Sequence, residues 1–419
     1  MADLAVFGIV LGLVSLFRQR MRSLPITGPI LFVATGLILG PDVLSVLKLD
    51  LDDEFVVTLA ELTLAMVLFS DAARIDTKCG RKSFAIPGRM LSIGLPLTIA
   101  LGTVVTRLLL SELSWAEAAL VATILAPTDA ALGEAVVSNP AVPSRIRQAL
   151  NVESGLNDGL VVPVFTLFLA IVAGSELEST GSLIGEAISE ITIGVAVGGA
   201  VALVMSRLVP ETKKRGWIDE EGFRLVAFGC GLAAFAGAEV LTGNGFLAAF
   251  VCGMLARYLL GPSMTMHSEL AEDAGQVGAS ATFVVFGALL IVPAMDSVTP
   301  LVVVCALGAL TLGRIMPVAI SLLGAGLMRP TIGFLGWFGP RGLASMLFGL
   351  LIVTDGHVDE ADALFSVVVV TILLSVVLHG ATAAPWAKRY AAWFAENGAD
   401  DDDMPEMEEV LESPVRWAT

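Results

Sequence analysis

The chain has 419 residues, 56% of them hydrophobic, with 24 basic against 41 acidic side chains and a net charge of −17. The apolar share exceeds the ~45–50% of soluble globular domains, so lipid rather than water is the main solvent, and no sizeable soluble domain fits between the apolar runs. The acidity excludes nucleic acid as a partner.

Apolar runs long enough to cross a hydrocarbon core of roughly 30 Å recur from the N-terminus to about Tyr390. The first, Leu4 to Phe17, is followed by Arg18, Arg20 and Arg22 without a small-residue cleavage site. It reads as a retained helix rather than a signal peptide. In chain order, about thirteen spans are predicted. They lie near 2–18, 25–40, 54–73, 90–110, 115–137, 146–173, 181–207, 221–241, 244–261, 273–295, 299–325, 333–353 and 362–387. The membrane domain therefore covers residues 1–390. Residues 391–419, with Asp400 to Asp403, Glu406, Glu408 and Glu409, are expected to form a disordered acidic tail.

The polar breaks alternate in sign. Arg18/Arg20/Arg22, Arg74/Lys78/Arg81/Lys82/Arg89, Arg145/Arg147, Lys213/Lys214/Arg215, Arg257, Arg329 and Lys388/Arg389 fall in or beside one set of loops. The other set carries Asp50/Asp52/Asp53, Glu112, Glu176/Glu178, Asp296 and Asp355/Asp359/Glu360, with only Lys48 and Arg107 as positive residues. By the positive-inside rule this predicts a multi-pass protein of the cytoplasmic (inner) membrane, N-terminus outside and C-terminus cytoplasmic. Cys79, Cys230, Cys252 and Cys305 show no C-x-x-C spacing and read as small buried hydrophobes. His267, His357 and His379 are too scattered for a metal site.

An odd span count divides into two six-span halves around one linker, the pattern of an inverted repeat. The fifth span contains Ala126-Pro127-Thr128-Asp129 and the twelfth Gly339-Pro340-Arg341-Gly342, each pairing a proline with a charge. Proline removes a backbone donor and frees a carbonyl, and in lipid such backbone survives only against protein or a water-filled cavity. The two breaks are therefore expected to cross near mid-membrane. The fold class is an all-α polytopic membrane protein with inverted six-helix repeats.

Ionisable side chains inside membrane spans are costly and mark function. Here they cluster in Glu153-Ser154-Gly155-Leu156-Asn157-Asp158-Gly159 of the sixth span, with four polar side chains on one broad stripe of a helix. Counting from Arg145, Asp158 lies roughly 18–20 Å into the membrane. With Asp129, Thr128 and Ser154 it offers the hard oxygen donors that alkali cations prefer. Asp71 closes the third span, as an inner-approach residue or as an ordinary helix end. Glu153 needs a cation at its depth; Arg314 is the favoured partner, with Arg341 set against the half-helix ends, both in structural roles.

These segments, together with Gly245-Phe246-Leu247-Ala248-Ala249-Phe250-Val251, Gly313-Arg314 and the run Gly339 to Ser345, resemble the monovalent cation/proton antiporters of the NhaP type, relatives of the sodium/proton exchangers. The resemblance runs from about Leu24-Pro25 to His379-Gly380 and leaves only the acidic tail outside. It implies a homodimer whose protomers have a dimerisation part and a mobile six-helix transport part. It also implies that Asp158 binds Na⁺ or H⁺ beside Ser154, Thr128 and Asp129, that Asn157 orders the crossed chains, and that no cofactor is used. Asn157 before Asp158 resembles the electroneutral type, and one carboxylate exchanging one Na⁺ for one H⁺ moves no net charge. Where many relatives carry Glu in the third span, this chain has the shorter Asp71.

A channel would also hold buried acids, but paired breaks in repeated halves favour alternating access. An intramembrane enzyme would need a nucleophile with its base or a metal motif, and neither H-E-x-x-H nor a placed Ser/His pair occurs. A symporter of a small organic solute has similar architecture, yet an acidic site does not suit an anionic substrate.

Overall fold

The structure is a computed structural model that describes residues 2–21, 26–50, 54–75, 80–129, 132–176, 180–355, 361–398, 404–410 and 412–413. Sequence features at Arg22, Asp52, Asp53, Lys78, Cys79, Ala130, Glu178, His357, Asp359, Glu360 and Asp400 to Asp403 lie outside the described residues.

Among the described residues the chain is all-helical. In order come α1 (Ala2–Met21), α2 (Gly28–Leu39), α3 (Glu54–Arg74) and α4, made of Gly80–Arg89 and Leu95–Leu109 around a π-helical turn at Met90–Gly94. Then follow α5a (Trp115–Ile124), α5b (Glu134–Val137), α6 (Ser144–Glu176), α7 (Thr180–Lys214), α8 (Glu220–Val240) and α9 (Gly245–Leu260). After a short helix at Pro262–His267 come α10, Glu269–Val285 and Ile291–Met295 around a π turn at Phe286–Leu290, and α11a (Pro300–Leu310). The last are α11b (Leu312–Ser321), α12a (Arg329–Trp337), α12b (Leu343–Asp355) and α13 (Ala361–Gly398). Eight described segments are long and apolar enough to cross a membrane, and five shorter apolar helices complete the set. Each predicted span overlaps one of these segments.

The starts of these helices follow from local chemistry. Ser114 accepts from the Glu117 N–H while the Glu117 carboxylate takes the Ser114 N–H, a reciprocal capping box that opens α5a. Asp219, Asn244 and Thr299 cap α8, α9 and α11a through their side-chain oxygens at 2.8, 2.9 and 3.3 Å. The eleventh span differs from its predicted continuous helix: it breaks at Thr311 (φ −108°, ψ −91°), and the break carries no proline that sequence could flag. The last helix also outruns its predicted end near 387, continuing through Pro385 to Gly398 because Tyr390 packs on Phe334.

Packing sorts the helices into two groups. α3 lies on α9 and α10, α2 on α10, α8 on α9 and α1 on α2. Separately, α4 lies on α5a and α6, α5a on α6, α11b on α12a, and α13 on α11a and α12b. Each group thus takes three consecutive spans from each half of the chain, as an inverted repeat requires, and α7 joins them against α6 and α9. The groups meet where α10 touches α13 and where α3 touches α6 and α12b. α2 and α10 approach so closely that a Cβ at Gly36 or Gly287 would overlap the carbonyl of Val284 or Val33. Cys230, Cys252 and Cys305 are buried free thiols among apolar neighbours.

The described parts of the acidic tail depart from the disorder expected of it. Residues 391–398 belong to α13, and the described part beyond residue 403 lies back against the ends of α6 and α12a, with Glu406 only 1% exposed. Charge runs are disordered when nothing complements them; here Arg145 and Arg147 supply the complement, pairing with Glu408 and Glu412 at 2.7 and 2.8 Å.

Candidate functional site

α5a ends at Leu125 because Pro127 cannot continue it, and the chain runs on through Ala126 to Asp129 without helical bonds. α12a ends likewise at Trp337, before Pro340, and α12b resumes at Leu343. The two interrupted strands of backbone lie directly against each other. The Asp129 N–H donates to the Pro340 carbonyl at 2.7 Å, and the Ser345 hydroxyl donates to the Ile124 carbonyl at 2.7 Å.

The charges at this crossing complement half-helix ends. Arg341 Nη1 donates to the Ala126 and Pro127 carbonyls at 2.5 and 3.1 Å, which places a cation at the negative C-terminal end of α5a. In the opposite sense, Asp129 Oδ2 accepts the Leu343 N–H at 3.1 Å and sets an anion at the positive N-terminal end of α12b. Every one of these groups is buried: Thr128 and Arg341 are 1% exposed and Asp129 5%. Asp129, grouped by sequence with the ion ligands, thus holds the second break, because an α-helix starting in a dry interior needs an acceptor for its first N–H groups. A methyl group at Gly342 would overlap the Asp129 carboxylate. Gly342→Ala is therefore expected to cost about 1–3 kcal/mol of stability, measured as a fall in thermal midpoint, with exchange reduced in parallel.

α6 passes beside the crossing and contributes the rest. Thr128 and Ser154 hydroxyls are 3.1 Å apart, and Asn157 Nδ2 donates to Thr128 Oγ1 at 2.6 Å. Asn157 therefore ties α6 to the first break. Asp158, one residue on, is 4% exposed, and its Oδ1 has no hydrogen-bond donor among the described residues. A carboxylate so buried is expensive unless a positive charge or a proton meets it.

Glu153 and Arg314, both 2% exposed, form a two-pronged pair at 2.5 and 2.6 Å. The break at Thr311 opens α11b just before Arg314, and an Arg fork matches a carboxylate bidentately. Arg341 does not join this pair; its Nη1 bonds the Ala126 and Pro127 carbonyls beyond α5a. Asp71 is 1% exposed and lies across from α6: a Cβ at Gly155 would stand 3.6 Å from that of Asp71. Its carboxylate is paired with Arg74, whose other arm donates to Glu272 of α10 at 3.0 Å. Sequence counts Arg74 among the loop charges, but at 6% exposure it is a buried partner of the site's edge.

Sequence reasoning missed two hydroxyls and one ring. Ser345 satisfies Ile124, and Ser375 Oγ accepts the Arg341 N–H at 2.6 Å while facing His379 Nδ1 at 3.1 Å. Ser375 and His379, four apart on α13, are thus a Ser/His pair where the sequence reading found none, and their spacing could have flagged them; a lone Ser in an apolar span otherwise bonds its own helix and gives no signal.

Residues 6–389 match the family model described as "Sodium/hydrogen exchanger, transmembrane". The chain belongs to this family. It is accordingly a cation/proton antiporter, a secondary transporter and not an enzyme, whose substrates are the transported ions and which works without a cofactor. A similar curated protein is the K⁺/H⁺ antiporter NhaP of Alkalimonas amylolytica, 24% identical over 405 residues that span 94% of this chain and 68% of the relative. Another is the K⁺/H⁺ antiporter NhaP2 of Shewanella sp. (strain ANA-3), 25% identical over 393 residues, 91% of this chain and 67% of the relative. Among solved structures, the sodium proton antiporter MjNhaP1 from Methanocaldococcus jannaschii at pH 8 superposes with a TM-score of 0.76 at 18% identity. The match covers 93% of this chain and 98% of that one, and it establishes a shared fold.

Proposed function

We propose that the antiporter exchanges one Na⁺ for one H⁺, with Asp158 as the carboxylate that the two cations occupy in turn. The observation that carries this reading is the burial of Asp158 Oδ1 without a described donor, one turn along α6 from Ser154, whose hydroxyl meets that of Thr128 at 3.1 Å. A proton and an alkali cation each relieve the same buried charge, so each excludes the other. Glu153 does not share this role, because Arg314 neutralises it in place. Asp129 and Arg341 hold the half-helix ends, and Asn157 fixes α6 against them. Asp71, held by Arg74, lines the approach from the end of the molecule that carries the basic loops. That end is cytoplasmic in this reading, which places the N-terminus outside.

The α4–α5–α6 and α11–α12–α13 group is the transport part. It slides against the α1–α3 and α8–α10 group, through which two protomers form a homodimer. With one titrating carboxylate, the loaded site carries the same charge with either ion, and the membrane potential does no work on the cycle.

Reconstitution into liposomes with a pH-sensitive dye, potential clamped, tests this reading. A Na⁺ gradient should drive proton flux whose rate is unchanged when the clamp moves by 100 mV. The curated relatives are named for K⁺, so Li⁺, Na⁺ and K⁺ are compared at equal gradient. Flux with K⁺ alone would replace Na⁺ as the substrate, and flux through the protein without a proton gradient or counter-ion would point to a channel.

A further inference from the structure

The inner face of α6 carries a docking surface, and its occupant in this structure is the chain's own acidic tail. Gln148, Asn151, Gly155 and Asp158 follow one another at intervals of three and four residues, so they share one face of the helix. Gly155 on that face packs on Ile75 and Asp71 of α3, which makes the face part of the seam between the two helix groups. Ser413 of the tail closes on the basic end of the same face. The Gln148 side chain donates to the Ser413 hydroxyl at 3.1 Å and accepts its N–H at 2.8 Å, and Asn151 Nδ2 donates to the Ser413 carbonyl at 3.2 Å. From Asn151 to Asp158 is about two helical turns, roughly 10 Å.

Upstream the tail is fixed at independent points. Arg145 donates to the Pro405 carbonyl at 2.6 Å and pairs with Glu408 at 2.7 Å, Arg147 pairs with Glu412 at 2.8 Å, and Glu406 accepts the Met328 N–H at 2.7 Å at the start of α12a. These anchors grip α6, which carries Asp158, and α12a, which leads into the second break. A loose acidic run would make no buried backbone bonds; Ser413 and Glu406 are 6% and 1% exposed.

We infer that the tail held through residues 404–410 and 412–413 acts as a removable plug at the cytoplasmic approach to Asp158, slowing cation access while docked and released when Arg145 and Arg147 lose their acidic partners. The inference rests on the assignment of Asp158 as the ion carboxylate. Two of its anchors are ion pairs at 12–30% exposure, open enough for salt to weaken them, though less than it weakens fully exposed pairs. Docking is therefore salt-sensitive, and raising ionic strength on the cytoplasmic face frees the path.

The test uses proteoliposomes with the cytoplasmic face outward. A chain ending at Gly398 and the single reversal Glu408→Arg should each lower the KM for Na⁺ added to that face, on the order of fivefold for loss of partly screened pairs. The paired reversal Glu408→Arg with Arg145→Glu should bring the KM back towards the starting value. Inert salt should lower the KM of the unaltered protein and leave that of the shortened one unchanged. An unchanged KM in the shortened chain, or a lower rate at every Na⁺ concentration, would overturn the plug and leave the tail a structural strap. Failure of the Asp158 assignment would be distinguishable, since Asp158→Asn would then still exchange whether or not the tail is present.

Discussion

Asp158→Asn is expected to abolish exchange while the protein remains folded. The substitution keeps the shape of the side chain and removes its charge. At Asp158 Oδ1 no described donor has to be rehoused, because it has none. The amide also ends the cost of a buried carboxylate, so thermal stability should rise or hold. Loss of flux with retained stability is the signature of a functional rather than structural acid; a structural acid would lose both. Ser154→Ala and Asn157→Ala should be milder. The first removes one hydroxyl beside the site, and the second frees the Thr128 hydroxyl from its tether to α6.

The second large effect is on stability. Arg314→Ala leaves Glu153 at 2% exposure with its bidentate partner gone, and breaking a buried pair in this way costs about 3–5 kcal/mol. The expected result is a steep fall in thermal midpoint and in yield. Removing both charges with similar volume, as in Glu153→Leu with Arg314→Met, should recover most of that stability, because the desolvation of two ions disappears together. If the double replacement also retains exchange, the pair is structural, as its geometry implies. If stability returns and exchange does not, Glu153 belongs to the transport chemistry.

Much of the architecture is legible in the sequence because lipid punishes exceptions. Backbone donors cannot be left open in hydrocarbon, so the prolines at 127 and 340 announce the crossed breaks, and each predicted span overlaps an apolar helix. The break at Thr311 carries no proline, and the flanking Gly308 and Gly313 read like the glycines of any membrane span, so only its place beside the buried Arg314 gives it purpose. Within the site, the polar stripe on α6 pointed to Asp158 and Ser154. The cap role of Asp129 depended on which half-helix its carboxylate meets across the crossing, and residue spacing holds no such information. The burial of Arg74 is hidden for a related reason: a charge at the end of an apolar run looks solvated until Asp71 and Glu272 enclose it. The tail looked disordered because its partners, Arg145 and Arg147, lie some 260 residues earlier in the chain.

Mutual exclusion of proton and metal cation at one carboxyl is most directly read by counting protons. Purified protein in weakly buffered detergent, titrated with Na⁺ under a pH-sensitive dye, should release protons as the cation binds, and the Asp158→Asn protein should release none. Release that persists undiminished without the Asp158 carboxyl, or Na⁺ binding by the unaltered protein with no proton displaced at any pH, would contradict the account.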